Sequence, residues 1–185
     1  MNAYVLVGGR SSRMGRSKAD LFLERIVAAA RPVFDEVIAV DRWRTGNPGC
    51  PDRQDCLSST IFEEPHEGEG AVFGIVRALR DAQAKAFILA VDYPLITEDV
   101  LRYLRDREGT PIWNGHPQSL CAVWSAEMLP VLQQRIAEKR FDLRTIGGRE
   151  MIPESELRAR FSGEPLMNVN TAEEWERAQR FLASR

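Results

Sequence analysis

Cysteine, histidine, charge of one sign and long apolar runs are all scarce in this chain, and each scarcity closes off a class of function. Three cysteines, Cys50, Cys56 and Cys121, show no Cys-x-x-Cys or Cys/His spacing and are joined by only two histidines. That pattern argues against a disulfide framework and against a structural zinc site. Reduced thiols are expected, with Cys121 a small buried hydrophobe in an apolar run and Cys50 and Cys56 in a Pro/Gly/Asp-rich loop. No apolar stretch approaches the roughly 20 residues of a membrane-spanning helix, and the opening run Ala3-Tyr4-Val5-Leu6-Val7 is much shorter than a signal-peptide core. A cytoplasmic protein with no membrane partner is expected. Lys and Arg number 25 against 27 Asp and Glu, so the net charge of −2 provides no global field for nucleic acid. No Ser/His/Asp or Cys/His pairing suggests a nucleophilic triad. Internal repeats and low-complexity tracts are absent too, and 185 residues suit a single domain over 1–185 with one substantial core.

What the chain does have is a concentrated basic, glycine-rich loop, Leu6-Val7-Gly8-Gly9-Arg10-Ser11-Ser12-Arg13-Met14-Gly15-Arg16-Ser17-Lys18, placed between an apolar strand and an amphipathic helix. Glycines let the backbone approach a ligand closely, and the arginines, Lys18 and the serine hydroxyls supply charge and donors for a polyanion. A solvated basic loop has a similar composition, but a position directly after a strand and before a helix favours a triphosphate cradle. The loop is not a Walker loop, because Ser17 precedes Lys18 and Ala19 follows it, and the dinucleotide fingerprint Gly-x-Gly-x-x-Gly is missing.

Hydrophobic periodicity predicts an alternation of strands and helices: a strand over 3–7, a helix over about 19–31, strands over 36–40 and 60–63 separated by a long loop, and a helix with Val72, Ile75, Val76 and Leu79 inward. The run Ala86-Phe87-Ile88-Leu89-Ala90-Val91 reads as a central parallel strand buried on both faces, ending in Asp92. Thr97 is expected to cap the next helix. Strands over 111–114 and 119–124 are expected around a turn Gly115-His116-Pro117, then a helix whose start is disturbed by Pro130, a short strand over 166–169, and a last helix opened by a capping box at Thr171-Ala172-Glu173-Glu174. The order favours an α/β, doubly wound three-layer sandwich with a mostly parallel sheet, whose ligands bind beyond the carboxyl ends of the strands. Asp92 is then placed to hold a hard divalent cation, Mg²⁺, against phosphate oxygens. Alternation puts Asn168 and Asn170 on one side of an extended segment, with both amides available to a ligand.

The spacing Gly-Gly-x-Ser-Ser-Arg-Met-Gly-x-x-Lys resembles the signature of nucleotidyltransferases, most closely that of the molybdenum cofactor guanylyltransferases. The resemblance extends along most of the chain: Leu89-Ala90-Val91-Asp92-Tyr93-Pro94 is similar to the family's metal-binding strand end, Gly70-Ala71-Val72-Phe73-Gly74 to its Gly-Pro-Leu-Ala-Gly, and Asn168-Val169-Asn170-Thr171 to its Asn-x-Asn-Thr. It implies a nucleotide-diphospho-sugar transferase-like fold and transfer of GMP from GTP to molybdopterin, with release of pyrophosphate. The implied nucleotide-binding residues are Leu6, Gly8, Gly9, Ser11, Ser12, Arg13, Lys18, Glu64, Gly70, Gly74 and Asp92. Arg13, Lys18 and Asp92 carry catalysis, and Asp92 binds the metal. His116, Gln118, Asn168 and Asn170 face the acceptor, and proteins that deliver molybdopterin or receive the product are implied partners. Two departures stand out: Ala71 and Phe73 replace small or rigid positions, and Lys18 runs almost directly into the first helix where the family has a short strand and a turn. They keep open a cytidylyltransferase and a non-catalytic nucleotide-binding paralogue.

Overall fold

A computed structural model describes residues 1–7, 17–42, 57, 59–64, 70–143, 146 and 150–183. Its main sheet has five strands in the order β3 (Ser59–Phe62), β2 (Val37–Asp41), β1 (Ala3–Leu6), β4 (Lys85–Ala90) and β7 (Cys121–Ser125). The first four run parallel and β7 is antiparallel to β4. Period-2 alternation sorts the strands' side chains into two cores. Ala3, Val5, Val37, Ala39, Phe87 and Leu89 face α1 (Lys18–Ala30), α3 (Glu98–Arg107) and α6 (Ala172–Ala183), while Tyr4, Leu6, Ile38, Val40, Ala86 and Ile88 face α2 (Val72–Ala82) and α4 (Leu129–Ala137). The expected three-layer sandwich results, and the apolar run of β4 is buried on both faces.

The strand order reverses direction between β1 and β4. Leu6 lies beside Ala90, and the Val91 N–H donates to the Leu6 carbonyl at 3.3 Å. Both chain segments leave these neighbouring parallel strands at their carboxyl ends, where ligands of such sheets bind in a crevice, and both run on to helices of the same layer, α1 and α3. Lys18 is reached from β1 and Asp92 from β4, so topology alone directs both to this crevice.

The smaller sheet, β6 (His116–Pro117), β5 (Thr110–Trp113) and β8 (Met151–Ile152), corrects the expected hairpin. The turn is Asn114-Gly115, with both residues at positive φ (50° and 74°), and His116 and Pro117 pair back onto Trp113 and Ile112. An Asn-Gly pair suits this reversal because the two residue types tolerate left-handed backbone best. Residues 166–169 form no strand: the segment joins no ladder, although Leu166, Met167 and Val169 are buried in the core. Thr97 stands at the extended N-cap position of α3 but makes no side-chain cap bond. Pro130 sits in the first turn of α4, where its missing N–H costs nothing, after a 3₁₀ turn over Ala126–Met128. β8 and α5 (Glu154–Arg160) correspond to no expectation from sequence.

Cys121 is fully buried on β7 beside Leu89, and burial pushes its thiol far above the ordinary range. Thiolate is the reactive form. Iodoacetamide at pH 8 should therefore leave Cys121 unmodified in the native protein and label it fully after denaturation, as read by peptide-resolved mass spectrometry. Rapid native labelling at Cys121 would contradict the packing of β7 on β4. Cys50 and Cys56 lie outside the described residues.

Candidate functional site

Three segments remote in sequence meet at the crevice. Lys18, the first residue of α1, donates from Nζ to Asp92 Oδ1 at 3.0 Å and to Asn170 Oδ1 at 2.7 Å. The Lys18 and Asp92 side chains are 14% and 23% exposed, so this ion pair lies in a partly sheltered cleft where charges are screened less than on open surface. Lys18 begins α1 itself, with Ser17 extended as the N-cap, so no strand or turn intervenes between the lysine and the first helix.

Asp92 is held by its backbone as well as by β4, because its carbonyl accepts the Val169 N–H at 2.9 Å. That bond ties the 166–170 segment to the end of β4 without any sheet pairing. Asn168 and Asn170 do share a side, as alternation suggested: Asn170 Nδ2 donates to Asn168 Oδ1 at 2.5 Å, which leaves Asn170 Oδ1 for Lys18. The Asn170 backbone is fixed by the expected capping box. Glu174 Oε2 accepts the N–H groups of Asn170 (2.6 Å) and Thr171 (3.0 Å), and the Glu174 N–H donates to Thr171 Oγ1 at 3.2 Å. Thr171→Ala should lower stability by about 1 kcal/mol through this lost cap, read as a lower denaturation midpoint, with the Asn170 contact to Glu174 kept. An unchanged midpoint would mean that the box adds nothing to α6.

Tyr93 connects this cluster to the 116–118 segment. Burial pushes its phenol well above the ordinary range, opposed by a hydrogen bond with the Asn168 side chain. The protonated hydroxyl donates to Gln118 Oε1 at 3.0 Å. Gln118 Nε2 in turn donates to the carbonyls of Trp113 (3.1 Å) and His116 (2.9 Å), so the Gln118 amide is held by internal bonds. His116 is exposed on β6 and contributes its backbone carbonyl to this network.

Of the glycines around the start of α2, Gly74 lies against β1 and Gly70 against Phe141. A β-carbon at Gly74 would stand 3.0 Å from Leu6 Cδ2 and 3.0 Å from Glu63 Oε1, so Gly74 permits close packing of α2 on the end of β1. A β-carbon at Gly70 would stand 3.1 Å from Phe141 Cβ. Phe73 points into the α2–α4 core, its ring centroid 5.3 Å from that of Phe141. Glu64 is turned outward and accepts from Arg80 Nη1 at 2.5 Å. Glu63, the neighbouring carboxylate, is the one beside Leu6 and Gly74, and sequence reading passed over it. Tyr93 was passed over in the same way, although its place between Asp92 and Pro94 was a usable signal.

Lys18, Asp92, Asn168 and Asn170 are thus brought together, with Gln118 linked through Tyr93 and with Leu6 and Gly74 packed at the end of β1. Glu64 pairs with Arg80 and the His116 side chain is exposed, so neither joins this cluster among the described residues. Gly8, Gly9, Ser11, Ser12 and Arg13 lie outside the described residues. As a metal site the crevice offers hard oxygen donors, the Asp92 carboxylate with the Asn168 and Asn170 amide oxygens, and among the described residues no group of three His, Cys, Asp or Glu gathers anywhere. A donor set this small suits Mg²⁺, which keeps several waters and completes its shell with substrate phosphates. No helix among the described residues is long and apolar enough to cross a membrane.

Comparison with known proteins finds matches along most of the chain. Residues 3–152 match the family model described as MobA-like NTP transferase domain. Proteins named probable molybdenum cofactor guanylyltransferase from Carboxydothermus hydrogenoformans and Aquifex aeolicus are 28% and 26% identical. Each alignment takes in 94% of this chain, and 92% and 88% of the respective relative. The crystal structure of molybdopterin-guanine dinucleotide biosynthesis protein A from Archaeoglobus fulgidus superposes with a TM-score of 0.82 over the full length of both chains, at 22% identity.

Proposed function

The chain belongs to the MobA-like NTP transferase family, and from that premise we propose that it is a nucleotidyltransferase that moves GMP from GTP onto the terminal phosphate of molybdopterin. An oxygen of the acceptor phosphate attacks the α-phosphorus of GTP, the bond from that phosphorus to the bridging oxygen of the β-phosphate breaks, and pyrophosphate leaves. The product is the guanine dinucleotide form of the cofactor. The observation that carries this reading is the meeting of Lys18, Asp92 and Asn170 at the point where the strand order reverses.

A phosphate monoester is already an anionic nucleophile at neutral pH, so the site needs no general base and can act by positioning and electrostatics. Lys18 neutralises the triphosphate and the departing pyrophosphate, with the 8–13 segment as cradle and Arg13 as a second cation. Asp92, with the Asn170 amide oxygen near it, holds Mg²⁺, which when bound supplies Lewis-acid stabilisation of charge on the phosphate oxygens. Asn168, Asn170 and Gln118 form the acceptor side, and Tyr93 fixes the orientation of two of these amides. The base side of the site is assigned to Gly70 and Gly74, of which Gly74 is packed directly against Leu6 and the Glu63 carboxylate. Because Phe73 is used in the α2–α4 core, its bulk does not count against nucleotide binding. The relatives' names support GTP over CTP, and proteins that supply molybdopterin and take the product complete the expected partners.

Pyrophosphate release measured with GTP or CTP, with and without molybdopterin, tests the reading. Acceptor-dependent release with GTP is expected. Preference for CTP would make the chain a cytidylyltransferase, and tight GTP binding with no release would make it a regulatory paralogue.

A further inference from the structure

The crevice holds a cation of its own, the Lys18 ammonium, on Asp92 Oδ1 and Asn170 Oδ1. The surrounding shell is organised for a positive charge: the Asn170 amide is oriented by its bond to Asn168, and its backbone is pinned by Glu174. A divalent cation approaching Asp92 must displace this ammonium or sit beside it at contact range, where like-charge repulsion in a sheltered cleft is greatest. The lysine is rooted at the first turn of α1, directly after the cradle segment, and carries its charge on a flexible four-carbon stem. Its ammonium can therefore pass from carboxylate to phosphate by side-chain rotation.

We propose that Lys18 is a resident counterion that keeps Asp92 closed to metal until a nucleoside triphosphate draws the ammonium onto its own oxygens, so that metal and nucleotide enter the site together. The inference rests on the nucleotidyltransferase reading and adds to it an order of assembly. Without nucleotide the Asp92 carboxylate stays neutralised, and with nucleotide the vacated oxygens receive the metal. By linkage the metal strengthens nucleotide binding by the factor with which the nucleotide strengthens metal binding.

The test is a Mn²⁺ titration of the full chain without nucleotide, followed by electron paramagnetic resonance of the free ion. Lys18→Met and Lys18→Gln should each bind Mn²⁺ about tenfold more tightly than the wild type, a change on the scale of other alterations next to metal ligands, and Lys18→Met combined with Asp92→Asn should lose the gain. Equal or weaker Mn²⁺ binding by both single variants overturns the proposal. A reciprocal arm measures GTP affinity in EDTA. Asp92→Asn should bind several-fold more tightly than the wild type because Lys18 is released, and the gain should vanish in the Lys18→Met background. No gain, or one that persists in full without Lys18, also overturns it. Failure of every protein to bind GTP with Mn²⁺ present would sink the transferase reading instead, and the nucleotide-free titration would still decide the counterion role.

Discussion

Asp92→Asn is expected to slow GMP transfer by about a hundredfold or more, the scale on which a preorganised electrostatic group acts, while leaving the thermal melt nearly unchanged. The carboxylate is a partly exposed group that pairs with Lys18. What anchors this strand end is the Asp92 carbonyl, through its bond with Val169, together with the buried run of β4, and the substitution keeps both. Steady-state rates across a Mg²⁺ titration, with a melt on the same sample, check the result. Unaltered Mg²⁺ dependence would move the metal elsewhere, and a collapsed fold would make Asp92 a structural residue.

Trp124→Ala should give the largest loss of stability, about 3–5 kcal/mol for truncating a large aromatic in a packed core, or roughly 10 °C in Tm for a chain of this size. Trp124 is 1% exposed on the α2–α4 side of the sheet, and its indole N–H donates to the Ser119 carbonyl at 2.9 Å. The next residue, Leu120, accepts the Ala90 N–H at 2.7 Å, so the same turn ties Gln118 to the end of β4. Denaturant unfolding of wild type and variant measures the loss. A change below 1 kcal/mol would contradict this packing.

The parts of the site that sequence made legible are those carried by short local patterns at strand ends. Lys18 after a glycine loop, Asp92 after an apolar run and Asn168 with Asn170 before a capping box each announce themselves within a few residues. Topology then brings them together, because a strand order that reverses between β1 and β4 sends both chain segments into one crevice. Glu63 was not legible beside Glu64. Adjacent carboxylates leaving a strand point to opposite sides, and which of them faces Leu6 depends on the pairing of β3 with β2, where Phe62 sits opposite Asp41. β8 is two residues long and pairs with Thr110 and Pro111, about forty positions earlier, so it has no periodicity of its own to read. The 166–169 segment looked like a strand because its apolar residues are buried, but it is held by that core packing and by the Val169 bond to the Asp92 carbonyl, with no ladder.

The central claim, that Lys18, Asp92 and Asn170 form a site for GTP and its metal, is tested most directly by crystals soaked with GTP and Mg²⁺. The account predicts triphosphate density against the Lys18 ammonium, a metal on Asp92, and guanine beside Gly70 and Gly74, with Lys18 drawn off Asp92. Nucleotide density at another surface, such as the crevice lined by Arg102, Tyr103, Arg107 and Arg160, with Lys18 still bonded to Asp92, would contradict it.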